Sequence, residues 1–377
     1  MKTLLEHRPD TKNIKKIDWL TYKKAGVDTS KEDIAVDRLI RLARNTFSFR
    51  QNIGKPMIDI GHFAGLINIG MNNSLAIKTD GVGTKVFIAQ MMEKYDTIGI
   101  DCVAMNVNDI ICVGAEPISL LDYIAVQEPD PYMIEEIGKG LVRGCELSNI
   151  SLVGGEIAVM PEMIQGKVKD KGFDLVGMGV GIVPNDRIIT GDKIEEGDAI
   201  LGLASTGIHS NSMTLTRKIL LDKAGCKLHD HVDELDRTLG EELLEPTRIY
   251  VKEVLDMISA GLNIKAIAHI TSDGFLNLQR ISNGYGFRID SLPEVPPIFK
   301  LIEKLGPVRP EEMYEVYNMG IGLCIVLPED EIEDATQIIE KHDVNCSKIG
   351  NTFRDPEKKV ILEEVGLVGK DGGFDLL

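Results

Sequence analysis

The chain contains 377 residues and carries a formal net charge of -17, with 43% hydrophobic and 27% charged residues. Its length suggests about two domains of roughly 150 residues each, and its composition is ordinary for a globular protein. The acidic balance argues against general nucleic-acid binding, which needs a basic surface, and no apolar run approaches the ~20 residues of a membrane-spanning helix.

The first half of the chain alternates between helical and strand-like patterns. Residues 1–20 are polar and lysine-rich, which predicts an irregular extension. Apolar side chains at helical spacing predict a helix over 33–44, a second helix follows from Pro131, and a short one covers 86–92. The strands predicted in this half lie at 57–60, 66–69, 75–78, 151–153 and 174–183.

The break at Pro184-Asn185-Asp186 predicts a boundary between an N-terminal domain at 21–184 and a C-terminal domain at 185–377. Strands and helices mix without strict alternation, so an α+β fold is favoured over a doubly wound sheet. In the second half we predict strands at 199–204, 266–270 and 322–327, helices at 212–224 (capped by Ser210 or Asn211), 248–260 and 329–342, and a final hairpin.

Three acidic side chains lie at predicted strand or helix ends. Asp80 follows a short apolar run and precedes Gly81 and Gly83, Asp109 ends an apolar helical stretch, and Glu156 follows two glycines. Each alone could simply cap a helix or a turn. Together with Lys85 they favour a site for magnesium and a nucleotide, because Mg²⁺ usually bridges one or two carboxylates to phosphate oxygens. The chain has no Walker sequence, so this is not a P-loop site.

Two histidines also stand at predicted strand ends. His209 lies between a strand and a helix, where backbone N–H groups can bind a phosphate, and His269 precedes Thr271 in a similar position. A histidine that packs locally is the alternative at both positions. The triplet at 229–231 lies in a polar connection and is better interpreted as a solvated loop than as a metal site.

The six cysteines form no Cys-x-x-Cys pair, which argues against a zinc ribbon or a disulfide framework. Four of them lie in apolar patterns typical of core thiols. The mixed-charge N-terminus lacks the apolar segment of a signal peptide, so we expect a cytoplasmic protein.

In chain order, many short segments resemble the phosphoribosylformylglycinamidine cyclo-ligase (aminoimidazole ribonucleotide synthetase) family. The resemblance runs from about residue 21 to 351. It is carried by Tyr-Lys-Lys-Ala-Gly-Val-Asp at 22–28, Thr-Asp-Gly-Val-Gly-Thr-Lys at 79–85, the segment 96–109 ending in Asn-Asp, Gly-Ala-Glu-Pro at 114–117, Leu-Asp-Tyr at 121–123, Leu-Val-Gly-Gly-Glu at 152–156, Met-Pro at 160–161, Ser-Thr-Gly-Ile-His-Ser-Asn at 205–211, Glu-Pro-Thr-Arg-Ile-Tyr at 245–250, Ala-His-Ile-Thr at 268–271, and Met-Tyr at 313–314 with Asn-Met-Gly-Ile-Gly at 318–322.

The resemblance implies a two-domain fold shared with thiamine-monophosphate kinase, in which N-terminal sheets pair into a β-barrel between the subunits of a homodimer. It implies ATP and Mg²⁺ as cofactors, a small ribonucleotide substrate, and ATP-dependent ring closure in purine biosynthesis. The implied roles are metal binding by Asp80, Asp109, Glu156 and Asp273, ATP or phosphate binding by Thr79, Gly81, Gly83, Thr84, Lys85 and Asn108, substrate binding by Ser210, Asn211, Arg248 and Thr271, and catalysis by His209 and His269, with His269 transferring the proton.

The chain departs from the family at two glycine-rich places. Gly-His-Phe-Ala-Gly at 61–65 stands where the family has a denser glycine run, and Ser272-Asp273-Gly274 stands where it has three glycines. The latter is similar to a motif of the thiamine-phosphate kinases, in which the aspartate helps to hold magnesium. A small-molecule kinase is therefore one alternative, and a non-catalytic nucleotide-binding regulatory member is another.

Overall fold

The structure is a computed structural model that describes residues 18–377. Most of the extension predicted at 1–20 lies outside these residues. The helices are α1 (Tyr22–Ala25), α2 (Thr29–Arg44), α3 (Val86–Met92), α4 (Ile98–Ile111), α5 (Pro131–Ser148), α6 (Met213–Arg217), α7 (Leu239–Leu243), α8 (Val251–Ser259), α9 (Pro297–Leu305), α10 (Pro310–Val316) and α11 (Ile332–Glu340). None of the helices in this part of the chain is long and apolar enough to cross a membrane.

The strands form two main sheets, one in each half of the chain. Those of the first are β1 (Gly65–Gly70), β2 (Asn73–Gly81), β3 (Glu116–Val126), β4 (Ser151–Val159) and β5 (Phe173–Pro184). The second half contains β6 (Ala199–Ala204), β7 (His231–Val232), β8 (Arg237–Thr238), β9 (Ala266–His269), β10 (Tyr285–Ile289), β11 (Ile321–Leu327), β12 (Cys346–Arg354), β13 (Val360–Leu362), β14 (Leu367–Lys370) and β15 (Gly373–Leu376).

The N-terminal sheet has the strand order β1-β2-β5-β3-β4. Its strands pair antiparallel except β3 and β4, which are parallel and joined through α5, as a parallel pair requires a crossover. Helix α4 packs on one face of this sheet and is buried over almost its whole length. It approaches α5 so closely that a Cβ on Gly99 would stand 2.1 Å from the backbone nitrogen of Leu141, so only glycine fits there.

The C-terminal sheet has the order β15-β14-β13-β10-β12-β6-β11-β9, and β7 and β8 form a separate hairpin. Strand β11 is antiparallel to both β6 and β9, with Ile321 opposite Ala204 and Leu323 opposite His269. The carboxyl ends of β6 and β9 therefore meet at one edge of the sheet. This edge faces α4, which lies between the two sheets and contacts β9 and α8.

Most of the predicted elements are present. The α+β class is confirmed, as are the helices at 33–44 and 86–92, the strand at 199–204 and the final hairpin of β14 and β15. The strand predicted at 57–60 is wrong. Residues 57–60 form bends and a turn; the preceding Pro56 makes an isolated bridge with Ile67, and the Asp59 carboxylate binds Arg44 at 2.7 Å.

The helix predicted after the loop at 205–211 differs from the expectation in its cap and its form. The helix predicted over 212–224 is α6 followed by a π-helical turn at Lys218–Lys223, and its N-cap is Ser212, which makes no capping side-chain bond. The cap predicted at Ser210 or Asn211 is thus wrong.

All six cysteines are free, and the four expected in the core are buried.

Candidate active site

The best-defined polar cluster in the structure joins the end of α4 to both sheets. The carboxylate of Asp109 accepts a 2.8 Å hydrogen bond from Nδ1 of His269 through Oδ1, and its Oδ2 lies 2.8 Å from the Lys78 ammonium. The same ammonium lies 3.3 Å from Oδ2 of Asp80. Lys78 and Asp80 share a face of β2 because side chains alternate along a strand. One cation thus bridges two carboxylates that are 29 residues apart in the chain.

Burial and neighbouring charges both shift the pKa values of the two carboxylates in this cluster. Burial alone would raise the pKa of Asp109, but the Lys78 ammonium and the bond from His269 outweigh it, so the pKa is lowered. The pKa of Asp80 is raised, first by burial and then by the neighbouring Asp109 charge. Asp109 is therefore a firmly ionised carboxylate, and Asp80 is the more easily protonated of the two.

The loop after β6 holds a buried histidine. His209 is only 2% exposed and has a left-handed backbone with φ of +67°, which is uncommon for any residue except glycine. Its Nε2 accepts a 3.2 Å bond from the backbone nitrogen of Thr206. Burial, followed by the charges of His269, Lys85 and Arg248, lowers its pKa well below the ordinary value. His209 is thus a neutral imidazole, held by the backbone in one tautomer.

Around His209 lie the other predicted substrate-binding residues. The Ser210 hydroxyl is buried and makes no hydrogen bond with the described residues, and the same is true of Nε of Arg248. Asn211 and Thr271 are partly exposed at the same sheet edge. Arg248 also lines a cavity of about 360 Å³. Unsatisfied buried polar groups of this kind are uncommon and often mark a ligand site.

The glycine loop after β2 leaves its backbone accessible. Gly83 has φ of +69°, and a Cβ there would meet no atom within 4 Å. Thr84 bonds through its hydroxyl to Thr214 at 2.9 Å, and the exposed Thr79 donates to the carbonyl of Gly177 at 3.0 Å. Gly81 lies in the sheet, with its N–H bonded to Oδ1 of Asp80 at 2.8 Å. The open side of the loop is therefore the backbone around Gly83.

Two residues expected to bind phosphate are occupied elsewhere. The Lys85 ammonium is completely buried against Asp101 at 2.9 Å and donates to the Glu245 carbonyl at 2.5 Å. The Asn108 amide donates to the Arg248 carbonyl at 2.8 Å and accepts from the Tyr250 nitrogen at 3.0 Å. Neither side chain has a free group for a phosphate in this arrangement, which argues against the expected contacts.

The four expected metal-binding carboxylates do not come together within one chain. Asp80 lies in one row of the sheet with Gly177, Asp122 and Gly155, so Glu156, the next residue along β4, points to the opposite face. It is exposed and three strands away, roughly 14 Å at ~4.8 Å per strand. Within residues 18–377 no group of three or more His, Cys, Asp or Glu side chains is arranged to hold a metal.

Asp273 also lies outside the cluster. Its pKa is raised by burial and by the nearby charges of Asp33 and Glu32, against the effect of Arg280. The residue after it has a structural role, because Gly274 has φ of +49° and a Cβ there would stand 2.0 Å from the Tyr314 carbonyl oxygen. Packing against Tyr314 thus requires a glycine at position 274. Asp273, in contrast, lies near the acidic side chains of Asp33 and Glu32.

Two residues near the cluster had no predicted role. Lys78 could have been found from the strand alternation that places it beside Asp80. His62 lies in the loop before β1, where Arg280 donates to the Gly61 and His62 carbonyls at 3.2 and 3.0 Å and covers the Phe63 ring. Both ring nitrogens of His62 are buried without a partner in the described chain. Burial lowers its pKa to about 4, so it is neutral at pH 7.

The chain carries both domains of the AIR synthase related proteins. Residues 61–183 match the family model described as the N-terminal domain of AIR synthase related proteins, and residues 195–363 match the model for their C-terminal domain. Among solved structures, a thiamine-monophosphate kinase from Stenotrophomonas maltophilia is similar, with a TM-score of 0.59 and 20% identity over 87% of this chain and 95% of that one. The hydrogenase maturation protein HypE in complex with ATP has a TM-score of 0.56 at 20% identity, covering 82% of this chain and 86% of that one.

Relatives with established names identify the family within this class. The chain is 50% identical over 92% of its length to the phosphoribosylformylglycinamidine cyclo-ligase of Pyrococcus furiosus, covering 99% of that protein. It is 47% identical over 89% of its length to the enzyme of the same name from Methanobrevibacter smithii, covering 95% of it. The chain belongs to the phosphoribosylformylglycinamidine cyclo-ligase family, and the resemblance predicted from the sequence is confirmed.

Proposed function

We propose that the chain catalyses the ATP-dependent closure of formylglycinamidine ribonucleotide to aminoimidazole ribonucleotide, with release of ADP and phosphate, in purine biosynthesis. The observation that carries this proposal is the close similarity to the cyclo-ligases over about nine tenths of the chain. The buried cluster of Asp109, His269 and Lys78 provides ionised, fixed groups of the kind that such a reaction needs.

In this reaction the formyl oxygen of the substrate attacks the γ-phosphorus of ATP, and ADP leaves. An amine of the same substrate then attacks the activated carbon, and the C–O bond breaks so that the former formyl oxygen departs with phosphate. The amine loses its protons as the imidazole forms. The protein's contribution is to align the reacting atoms and to balance developing charge.

The residues present fit a magnesium ion held by two carboxylates. Asp80 and Asp109 both lie within 3.3 Å of the Lys78 ammonium, so their oxygens converge on one cation already. Hard oxygen donors suit Mg²⁺, which is commonly bound by one or two carboxylates together with substrate phosphates. The ion, when bound, would supply charge neutralisation for the phosphates of ATP. Glu156 and Asp273 do not join this pair in one chain.

The remaining roles divide between the loops at the sheet edges. The open backbone around Gly83 is suited to the phosphates of ATP, as the phosphate-binding loop of this site. His209, Ser210, Asn211, Arg248 and Thr271 line the other side and are suited to the ribonucleotide. His269 is completely buried between Asp109 and Asn108. This surrounding supports an orienting role toward Asp109 better than direct proton transfer.

Incubation with formylglycinamidine ribonucleotide, ATP and Mg²⁺ tests the function. We expect equal amounts of aminoimidazole ribonucleotide, ADP and phosphate, and no thiamine diphosphate when thiamine monophosphate replaces the substrate. Ser272-Asp273-Gly274 is the sequence feature that favours the kinase. Thiamine diphosphate without ring closure would establish the kinase, and ATP binding without turnover of either substrate would establish the regulatory alternative.

We propose further that two copies pair through the free face of the N-terminal sheet. This face is opposite to α4 and carries Met178 and Tyr123, each 39% exposed. The edge strand β4 is exposed along most of its length, and Leu39 and Leu42 of α2 are each 67% exposed. Uncovered apolar faces and sheet edges favour self-association. Pairing would also place Glu156 at the subunit interface, and it would agree with the barrel that the resemblance implies.

Placing a charge on this face should separate the copies. We expect Met178→Asp to sediment as a monomer at low micromolar concentration, whereas the unmodified chain sediments as a dimer, because burying the new carboxylate costs several kcal/mol. Val142→Asp is the matched control, since Val142 is 62% exposed on α5, which packs against α4 on the other side of the sheet. A monomeric unmodified chain, or a dimeric Met178→Asp variant, would contradict this pairing.

A further inference from the structure

We infer that Asp101 and Thr247, together with Lys85, form a clamp that positions Arg248 for the ribonucleotide. The inference rests on the proposed substrate role of Arg248. It gives a function to two side chains that the phosphate site does not use, Lys85 and Asn108, and to one carboxylate, Asp101, that had no assigned role.

The first contact point of the clamp is Asp101 on α4. Its Oδ1 accepts bonds from the Thr247 backbone nitrogen at 2.8 Å and from the Thr247 hydroxyl at 2.6 Å. It also accepts one from the Lys85 ammonium at 3.0 Å. Lys85 then donates to the Glu245 carbonyl, so both ends of Glu245-Pro246-Thr247 are held. Asp101 and Lys85 are fully buried, and Thr247 is 1% exposed.

The second contact point is Asn108, two helical turns further along α4. Its amide binds the carbonyl of Arg248 and the nitrogen of Tyr250, as described above. Residues seven positions apart lie on the same face of a helix, about 10 Å apart along its axis. The segment 245–250, which connects α7 to α8 in the C-terminal domain, is therefore fastened at two places to a helix of the N-terminal domain.

Arg248 lies between these two fastened points. Its backbone carbonyl is held by Asn108, while its side chain lines the cavity that Thr206 and Glu253 also line. The buried Nε of Arg248 has no partner within the described chain, so the local contacts that fix this residue come from its backbone neighbours. A planar guanidinium recognises a phosphate through fixed geometry, and a shift of its backbone would misalign it.

The clamp uses a buried ion pair where apolar packing could have joined the two domains. A buried ion pair adds little net stability compared with well-packed apolar groups. What the polar arrangement provides is a fixed register, since Asp101 directs three donors at once. This is the property expected of a group that aligns a binding residue.

Removal of the Thr247 hydroxyl tests the clamp with little change of shape. We expect Thr247→Val to lower kcat/KM for formylglycinamidine ribonucleotide about tenfold, the size of one charge-assisted hydrogen bond, mainly through KM. The KM for ATP should change less than about twofold. Thr247→Ser keeps the hydroxyl and should restore the unmodified values. Asp198→Asn is the structural control, because Asp198 forms a buried pair with Lys265 at 2.7 Å inside the C-terminal domain; it should lower thermal stability without affecting either KM.

A double-mutant cycle distinguishes positioning from other roles. If Thr247 acts through Arg248, Thr247→Val added to Arg248→Ala should cause almost no further loss in ribonucleotide kcat/KM. A full additional tenfold loss, or equal losses for Val and Ser at position 247, would overturn the clamp. If Arg248→Ala alone leaves ribonucleotide kcat/KM unchanged, the substrate role of Arg248 fails instead. If only Arg248→Ala has an effect, the substrate role holds and the clamp is wrong.

Discussion

Asp109→Asn is expected to reduce turnover by about 100-fold or more, a loss typical of removing a preorganised charged group from an active site. The change keeps the shape of the side chain but removes the negative charge that Lys78 and His269 both address. It also removes one of the two anionic oxygen donors proposed for magnesium. Asp80→Asn should have an effect of the same kind, because Asp80 is the other donor.

The fold should survive both changes. An asparagine at 109 can still accept a bond from His269, and Lys78, which is 20% exposed, keeps Asp80 and water as partners. The expected cost is about 1–3 kcal/mol of unfolding free energy. Turnover measured at saturating ATP and Mg²⁺, together with a thermal unfolding curve, separates the chemical effect from a structural one.

Asp122→Asn provides the matched control for this experiment. Asp122 lies two strands from Asp80 in the same sheet row, and it is a partly buried carboxylate on the same face, with its pKa raised by burial. It is not paired with Lys78. We expect its turnover to remain within about threefold of the unmodified enzyme, inside the range of a modest local perturbation. Near-normal turnover in both the Asp80 and Asp109 variants would remove the metal assignment.

The sequence predicted best those elements that depend on local patterns. Helix α3 and strand β6 have the predicted bounds, because each is a short apolar run between clear turn signals. Strand β3 has no such signal, since Pro117 near its start and Asp122 in its middle interrupt the apolar alternation. The strand exists because β5 and β4 flank it. Tertiary pairing of this kind decides the structure of many segments whose own pattern is weak.

The candidate site was predictable in its residue types but not in its pairings. Asp109 and His269 are 160 positions apart, and no local spacing indicates that they touch. Lys85 was expected at a phosphate because it follows a glycine loop. The fold instead buries it against Asp101, where a charge needs a partner to avoid the cost of desolvation. Glu156 was separated from Asp80 by strand register, since a one-residue difference moves a side chain to the other face.

The second large effect expected concerns the fate of one oxygen atom. In ring closure by phosphate activation, the formyl oxygen becomes bonded to phosphorus and leaves with it when the C–O bond breaks. Formylglycinamidine ribonucleotide labelled with heavy oxygen at the formyl group should therefore transfer that label to inorganic phosphate, one atom for each ring closed. Mass spectrometry of the released phosphate measures this directly.

The label also separates the mechanism from its competitors. ATP hydrolysis that merely accompanies ring closure would take its oxygen from water, so the phosphate would be unlabelled. In the reverse experiment, with unlabelled substrate in water that contains heavy oxygen, hydrolysis would label the phosphate and activation of the formyl oxygen would not. A kinase would keep the phosphate on its product and release none. The Thr247→Val variant should transfer one label per ring as the unmodified chain does, because it changes how the ribonucleotide is held and leaves the bond-making sequence intact. Ring closure with unlabelled phosphate would exclude activation of the formyl oxygen, and the proposed role of the charged cluster around Asp109 would then have to be sought in ATP hydrolysis alone.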